Sequence, residues 1–109
     1  MISSAIEHVR MATATSVSVM DDVIIVELED GRSITVPMAW YPRLKHGTPA
    51  ERNNWRLVGD GVGIHWPDLD EDLSVESFLA GRRSVESAQS LKKWTAERFQ
   101  DRKRQRKTA

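Results

Sequence analysis

Apolar and polar residues alternate with a period of two through three successive segments near the start of the chain. These segments are residues 16–19, residues 24–29 and residues 33–36. Strict alternation is typical of β-strands that bury one face. Asp30-Gly31 separates the second and third segments, and Asp-Gly is a strong hairpin signal because both turn residues accept a positive φ. The pattern predicts a three-stranded antiparallel meander whose aliphatic face points inward.

Proline and glycine divide the middle of the chain into shorter elements. Pro37 ends the third strand, and a helical turn is expected over residues 38–44. Thr48-Pro49-Ala50-Glu51 follows, in which threonine can cap a helix, proline suits the first helical position and glutamate can complete a capping box. The sequence therefore predicts a short helix that begins at Pro49.

A second hairpin and a further short helix are expected after residue 54. Gly59-Asp60-Gly61 has turn chemistry and separates two short apolar runs, residues 55–58 and residues 62–66. Ser74 is a good N-cap for the next helix, and Gly81 is its natural C-terminal stop.

The segment from Ser84 to about Lys107 has the pattern of a longer helix. Its predicted buried face consists of four residues at helical spacing, Val85, Ala88, Ala96 and Phe99. Leu91 and Trp94 lie off that face. The chain is thus expected to be α+β, with a small antiparallel meander, a second hairpin, short helices and a longer C-terminal helix. Residues 1–81 form the predicted α+β domain, and residues 82–109 form a basic C-terminal helix or tail.

The charged residues are unevenly distributed, although the net charge of the chain is zero. Residues 1–81 hold 6 basic and 13 acidic residues, whereas residues 82–109 hold 10 basic and 3 acidic ones. Such a division indicates either a tail that contacts an acidic surface of a partner or a tail that folds back on its own acidic body. The sequence leaves both interpretations open.

Composition removes several classes of protein. The chain of 109 residues contains no cysteine, which excludes disulfides and thiolate metal sites. Charged residues interrupt the first eleven positions, so no signal peptide is expected. The longest apolar stretch, residues 23–26, is too short to span a membrane. We therefore expect one small cytoplasmic domain with no membrane contact.

Several separated motifs carry a family resemblance. Residues 55–67 have the sequence WRLVGDGVGIHWP and continue into LDEDLSVE at residues 69–76. The motifs upstream of them are Asp30-Gly31-Arg32, Val36-Pro37, Trp40 and Pro42-Arg43-Leu44. In this order they resemble the bacterial family catalogued as Domain of Unknown Function 2442, over residues 17–81.

The resemblance implies a small α+β domain that is sometimes fused to a helix-turn-helix module. It also implies a gene that lies beside one of the Domain of Unknown Function 4160 family, in a toxin–antitoxin arrangement in which this chain is the antitoxin partner. No catalytic residues belong to the resemblance. Residues 82–109 are too short for a helix-turn-helix domain, which argues against sequence-specific reading of DNA.

One acidic segment is the main candidate for contact with a protein. It consists of Asp68, Asp70, Glu71 and Asp72, directly after Trp66. A calcium loop would need glycine and glutamate where Leu73 and Leu79 stand. The acidic residues could instead favour the N-terminus of the following helix. The third interpretation is a docking surface for a basic partner, to which Trp66 would contribute as a hot-spot side chain.

No coherent catalytic set is visible in the sequence. His65 lacks an evident nucleophile and orienting group, so a packed or surface histidine is the preferred interpretation. Gly59, Gly61 and Gly63 resemble a phosphate loop only superficially, because strands flank them on both sides. We therefore expect no enzymatic activity, no metal and no cofactor.

The basic tail supports a second hypothesis. Its cationic residues are Arg102, Lys103, Arg104, Arg106 and Lys107. They would either track phosphates or simply complement the negative end of the helix dipole. The leading prediction is a protein-binding module, an antitoxin-like component that docks a small basic partner. The alternative is an accessory protein that binds nucleic acid through the tail.

Overall fold

The computed structural model describes residues 12–20 and 22–108, with side chains as far as residue 101. Its strands are β1 (Ala14–Met20), β2 (Val23–Leu28), β3 (Ser33–Pro37), β4 (Arg56–Val58), β5 (Gly63–Trp66) and β6 (Glu71–Ser74). Its α-helices are α1 (Pro42–His46), α2 (Pro49–Asn53), α3 (Val75–Leu79) and α4 (Ala88–Thr108). One 3-10 turn, Met38–Trp40, joins β3 to α1, and another, Gly59–Gly61, joins β4 to β5.

The strands form two antiparallel sheets of three strands each, in the orders β1-β2-β3 and β4-β5-β6. In the first sheet Val26 pairs with Val17 and Ile24 pairs with Val36, which brings the aliphatic face together and confirms the predicted meander. The turn after β2 is longer than a two-residue hairpin. Only its glycine, Gly31, takes a positive φ, and the Leu28 amide donates to the Arg32 carbonyl across it.

The two sheets meet where the β4–β5 connection passes β1. Gly61 has a φ of +94° and lies so close to β1 that a Cβ there would be 2.5 Å from the Ala14 carbonyl oxygen. A side chain at position 61 would push the sheets apart, so this position requires glycine. The predicted second hairpin is confirmed, but β6 was not predicted because the carboxylates of residues 70–72 mask its alternation.

The core lies between the sheets and the short helices. Its fully buried side chains, each 0% exposed, are Ile24, Val26, Leu44, Ile64, Trp66 and Leu69. The helix predicted at Pro49 is confirmed, since the Thr48 hydroxyl accepts from the Glu51 amide and the Glu51 carboxylate accepts from the Thr48 amide. Within the described residues, no helix combines the length and the apolar character needed to cross a membrane.

Helix α3 begins and ends as the sequence predicts. The Ser74 hydroxyl accepts from the Ser77 amide at its N-terminus. At the other end Gly81, with a φ of +69°, donates to Phe78 and the Arg82 amide donates to Ser77. This pair of bonds is a Schellman motif, and it turns the chain sharply into residues 82–87.

The C-terminal helix begins later than predicted, at Ala88, because residues 82–87 are held against the body without helical bonds. The Ser84 amide donates to the Trp40 carbonyl, for example. Val85 therefore precedes the helix and is fully exposed, which makes the predicted buried face wrong. Trp94 packs on the body instead, whereas Phe99 is 62% exposed.

Candidate partner-binding site

Two of the predicted acidic residues, Glu71 and Asp72, lie on β6. This strand pairs with β5 and follows a tight turn over residues 67–70. Asp70 enters the strand with a φ of +49°, a left-handed conformation that aspartate tolerates better than most residues. Because side chains alternate along a strand, Glu71 and Asp72 point to opposite faces of β6. The acidic segment is therefore divided between two environments.

Asp72 lies on the exposed side of the sheet beside His65. Its Oδ1 is 2.6 Å from His65 Nδ1, across the strand pair, and its side chain is largely exposed. No hydrogen bond among the described residues joins a histidine to a serine or threonine hydroxyl. The His65 side chain is only 20% exposed, so it matches the interpretation of a packed histidine, which a neighbouring carboxylate orients.

Glu71 is a half-buried carboxylate. Burial raises its pKa, whereas a hydrogen bond from the Asp72 amide and the charge of Arg43 lower it by less. The amide lies 3.2 Å from Glu71 Oε1, and no cation among the described residues forms an ion pair with this carboxylate. The charged form of Glu71 is therefore poorly compensated.

Glu71 and Asp72 both contribute atoms to the wall of a surface cleft of about 480 Å³, which we call the acidic cleft, although their side chains point to opposite faces of β6. The residues lining it are Tyr41, Glu71, Asp72, Leu73, Ser77, Arg82, Arg83, Ser84 and Val85. The cleft exists because the Schellman motif after α3 sends the chain back across β6. Val85, on its rim, is an apolar side chain that contributes nothing to the core.

Tyr41 supports the acidic cleft from below. The side chain is buried, its hydroxyl donates to the Arg82 carbonyl at 2.8 Å, and its ring meets Phe78 edge-on at 5.6 Å. Burial raises the pKa of Tyr41, and the charge of Glu71 raises it further. On the opposite wall Arg83 stacks over the Trp40 ring at 4.9 Å, so its guanidinium group is held against the protein.

Two other carboxylates nearby are fully compensated and anchor helix α4. Glu86 accepts from Arg43 in a bidentate pair, at 2.6 to 3.0 Å. Glu51 accepts from Arg98 at 2.8 and 3.1 Å. Both guanidinium groups also lie over the ring of Trp94, at 5.1 Å for Arg43 and 4.7 Å for Arg98.

The pKa values of these groups follow from their contacts. The hydrogen bond from Arg98 lowers the pKa of Glu51 to about 2, and the hydrogen bond from Arg43 lowers the pKa of Glu86. The same pair raises the pKa of Arg43. We call Trp94 and its four charged neighbours the helix anchor; the four are Arg43, Glu51, Glu86 and Arg98. Each of these charges is paired with an opposite charge within the chain.

The remaining predicted site residues lie apart from the acidic cleft. Asp68 accepts from the Asn54 amide group at 2.8 Å, and Asp70 lies 3.4 Å from Arg43 with its side chain 83% exposed. The interpretation of Trp66 as a contact residue is corrected. This side chain is fully buried and donates through Nε1 to the Arg52 carbonyl, so it has no surface to offer a partner.

The predicted nucleic-acid residues lie in the last turns of α4, whose backbone remains helical to Thr108. The side chains of Arg102, Lys103, Arg104, Arg106 and Lys107 lie outside the described part of the structure. In residues 12–20 and 22–101 no group of three or more histidine, aspartate or glutamate side chains is arranged to hold a metal ion. The absence of a metal and of a cofactor stays a prediction.

Sequence reasoning missed the far wall of the acidic cleft. The sequence places Arg82 and Arg83 only in the basic C-terminal segment, and it predicts Val85 on the buried face of a helix. The signal that could have located them is Gly81, because a Schellman glycine reverses the direction of the chain after a helix.

The comparisons with known proteins give a family and a fold. The model of the family described as "Protein of unknown function (DUF2442)" matches residues 14–84. A crystal structure of a protein of unknown function from Rhodospirillum rubrum is similar, with a TM-score of 0.61 and 26% identity over 69% of this chain and 93% of that one.

A solution NMR structure of an uncharacterised protein from Chromobacterium violaceum is similar as well. Its TM-score is 0.61, with 28% identity over 89% of this chain and 87% of that one. That coverage exceeds the span of the family model, so the likeness extends beyond the family-matched residues. Both structures share the α+β fold. No curated protein matches this chain.

Proposed function

The chain belongs to the DUF2442 family of proteins of unknown function. From this premise we propose that it is a non-catalytic protein-binding module. In this proposal it is an antitoxin-like component that docks a small basic protein in the acidic cleft. We place this activity in the cytoplasm. Family membership supports the α+β domain alone, and the site supports the chemistry of the partner.

A single observation carries the proposal: Glu71 is half-buried in the wall of an open cleft without a cation in ion-pair contact among the described residues. Glu51 and Glu86, of similar chemistry, each have an arginine. A lysine or arginine from a partner would supply the missing compensation for Glu71 and would add a desolvated charge pair to the interface.

The surroundings of Glu71 fit a protein better than a small molecule. Val85 offers an exposed apolar surface at the rim of the cleft that Glu71 and Asp72 also line. Hot spots at protein interfaces combine a buried polar contact with apolar packing that excludes water. The partner surface would present a cation to Glu71, an apolar side chain to Val85 and a further basic residue to the Asp72 carboxylate.

The absence of enzymatic activity is part of the proposal. It is supported by the site chemistry, since His65 contacts a carboxylate rather than a nucleophile. General acid–base catalysis also requires a substrate pocket next to the base. Turnover that disappears in His65→Ala would contradict this part.

The experiment begins with co-purification from the native host and mass spectrometry to identify the bound protein. The partner should be small and basic. Glu71→Gln combined with Asp72→Asn should then weaken its affinity by about tenfold or more and reduce the salt dependence of association.

Asp60→Asn combined with Glu76→Gln is the matched control, because it removes two exposed carboxylates outside the acidic cleft. Equal loss in both double variants would show that only net charge matters. An unchanged affinity in the Glu71 and Asp72 variant would contradict the proposal.

A second candidate function rests on the helical backbone that continues to Thr108 through the basic tail. In that case the tail would bind nucleic acid along its phosphates. Truncation after Gln100 removes five cationic residues and one acidic residue. The slope of log affinity against log salt should then fall by up to about 3–4 units, since each phosphate contact contributes about 0.9. Absence of salt-dependent binding in the full chain would rule this candidate out.

A further inference from the structure

Helix α4 has a second apolar face beside the one that packs on the body. Trp94 points to the body, whereas Ala88, Thr95 and Phe99 lie roughly 100–140° around the helix axis from it. This second face lines a shallow groove of about 540 Å³ that also includes His46 of α1. The groove residues are His46, Ala88, Leu91, Lys92, Thr95, Ala96 and Phe99.

The groove contains both a protrusion and a depression. Phe99 is 62% exposed, so a large ring stands out near one end. Small side chains, Ala88 among them, lie near the other end, 11 residues or about 16 Å along the helix. An exposed aromatic ring on an apolar face is typical of an interaction surface rather than of a solvated helix.

We propose that this groove binds a second copy of the same chain, with the two α4 helices antiparallel about a twofold axis. In an isologous interface the same patch must be complementary to itself. Antiparallel pairing fulfils this condition, because the Phe99 ring of each copy enters the region of Ala88 and Leu91 of the other. The twofold axis then passes close to Thr95, midway between Leu91 and Phe99.

The charge distribution favours a second copy over another occupant. Residues 1–81 carry 7 more acidic than basic residues, and residues 82–109 carry the opposite excess, so two neutral copies have no net repulsion. A helix that is continuous to Thr108 cannot turn its last turns back on its own body. The antiparallel arrangement extends those turns past the start of the partner helix, towards the acidic body of the other copy.

The first test measures the mass of the full chain by sedimentation equilibrium at micromolar concentrations. We expect a dimer, and Phe99→Asp should raise its dissociation constant by about tenfold or more. Val85→Asp is the matched control, because it places the same charge on another exposed apolar side chain outside the groove. Circular dichroism of both variants checks that each remains folded.

The second test uses the absence of cysteine from the chain. Three single variants, Thr95→Cys, Ala88→Cys and Gln100→Cys, are treated with a short bifunctional thiol reagent. Thr95→Cys should give a covalent dimer because it lies near the twofold axis. Ala88→Cys lies far from its symmetry mate in an antiparallel pair, and Gln100→Cys lies outside the groove, about 140° around the helix axis from Thr95.

Three results would overturn the inference: a monomer at every concentration, a dimer that survives Phe99→Asp, or efficient cross-linking of Ala88→Cys, which would require parallel helices. A heterologous helix or a nucleic acid as the occupant would appear as a monomer in the first test. The inference is independent of the acidic cleft, since Val85→Asp disturbs the cleft and leaves the groove intact.

Discussion

Glu51 and Glu86 in the helix anchor each accept hydrogen bonds from two nitrogens of an arginine, whereas Glu71 in the acidic cleft is within hydrogen-bonding distance of a backbone amide only, among the described residues. The side chains of Glu51 and Glu86 are mostly buried, at 20% and 11% exposed, and Glu71 is partly buried. Their pKa values move in opposite directions, because hydrogen-bonded guanidinium groups lower the first two and burial dominates the third. The difference teaches that a carboxylate stabilises this fold where the chain supplies its cation, and remains available for recognition where it does not.

The largest expected effect comes from removing the ring at the centre of the helix anchor. Trp94→Ala should lower the free energy of unfolding by about 3 kcal/mol, because a nearly buried indole and its stacking with Arg43 and Arg98 are lost together. Lys93→Ala, at an exposed neighbouring position, should change it by less than about 0.5 kcal/mol. Urea denaturation measures both. Similar values for the two variants would mean that α4 does not depend on the anchor.

An intermediate effect is expected from acid titration of Glu51. Its pKa falls from the ordinary 4.5 to about 2 in the folded protein, so this carboxylate contributes stability above pH 4.5 that is lost as the pH falls towards 2. The contribution is at most about 3 kcal/mol, given about 1.4 kcal/mol per pH unit and partial exposure.

Glu51→Gln should remove this part of the acid dependence, whereas Glu76→Gln, on the exposed side of α3, should preserve it. Unfolding free energies measured from pH 7 to pH 2 distinguish the two. Parallel curves for wild type and Glu51→Gln would contradict the assignment.

The smallest effect is expected at Glu71. Because burial raises its pKa, the charged form destabilises the fold at neutral pH, and the protein should gain stability as the pH falls from neutral towards 4.5. Glu71→Gln should therefore leave the melting temperature unchanged or raise it, by less than about 1 kcal/mol in free energy. A clear loss of stability would show that Glu71 serves the fold, and it would weaken the comparison with Glu51.

The acidic segment shows how far sequence reasoning reaches into the candidate site. The sequence predicts its carboxylates and Trp66 as one contact surface, yet Asp68 and Asp70 lie away from the cleft and Trp66 is in the core. Tryptophan serves equally well as a core residue and as an interface residue, and only burial distinguishes the two roles. Glu71 and Asp72 line one cleft because β6 runs beneath the returning chain after Gly81, a juxtaposition that depends on residues far apart in sequence.

The local signals in the sequence determined the meander, the second hairpin, the capping box at Thr48 and both ends of α3. Each depends on residues within a few positions of one another, where periodicity, capping and turn chemistry act directly. The tertiary structure alone decided which face of α4 is buried. Helical periodicity favoured Phe99, but Trp94 packs on the body, where Arg43 and Arg98 lie over its ring. Each of these arginines is paired with a carboxylate distant in sequence. The spacing of apolar residues along the chain does not predict such long-range charge pairing. The exposed face of α4 and the acidic cleft could therefore be identified only in the folded chain.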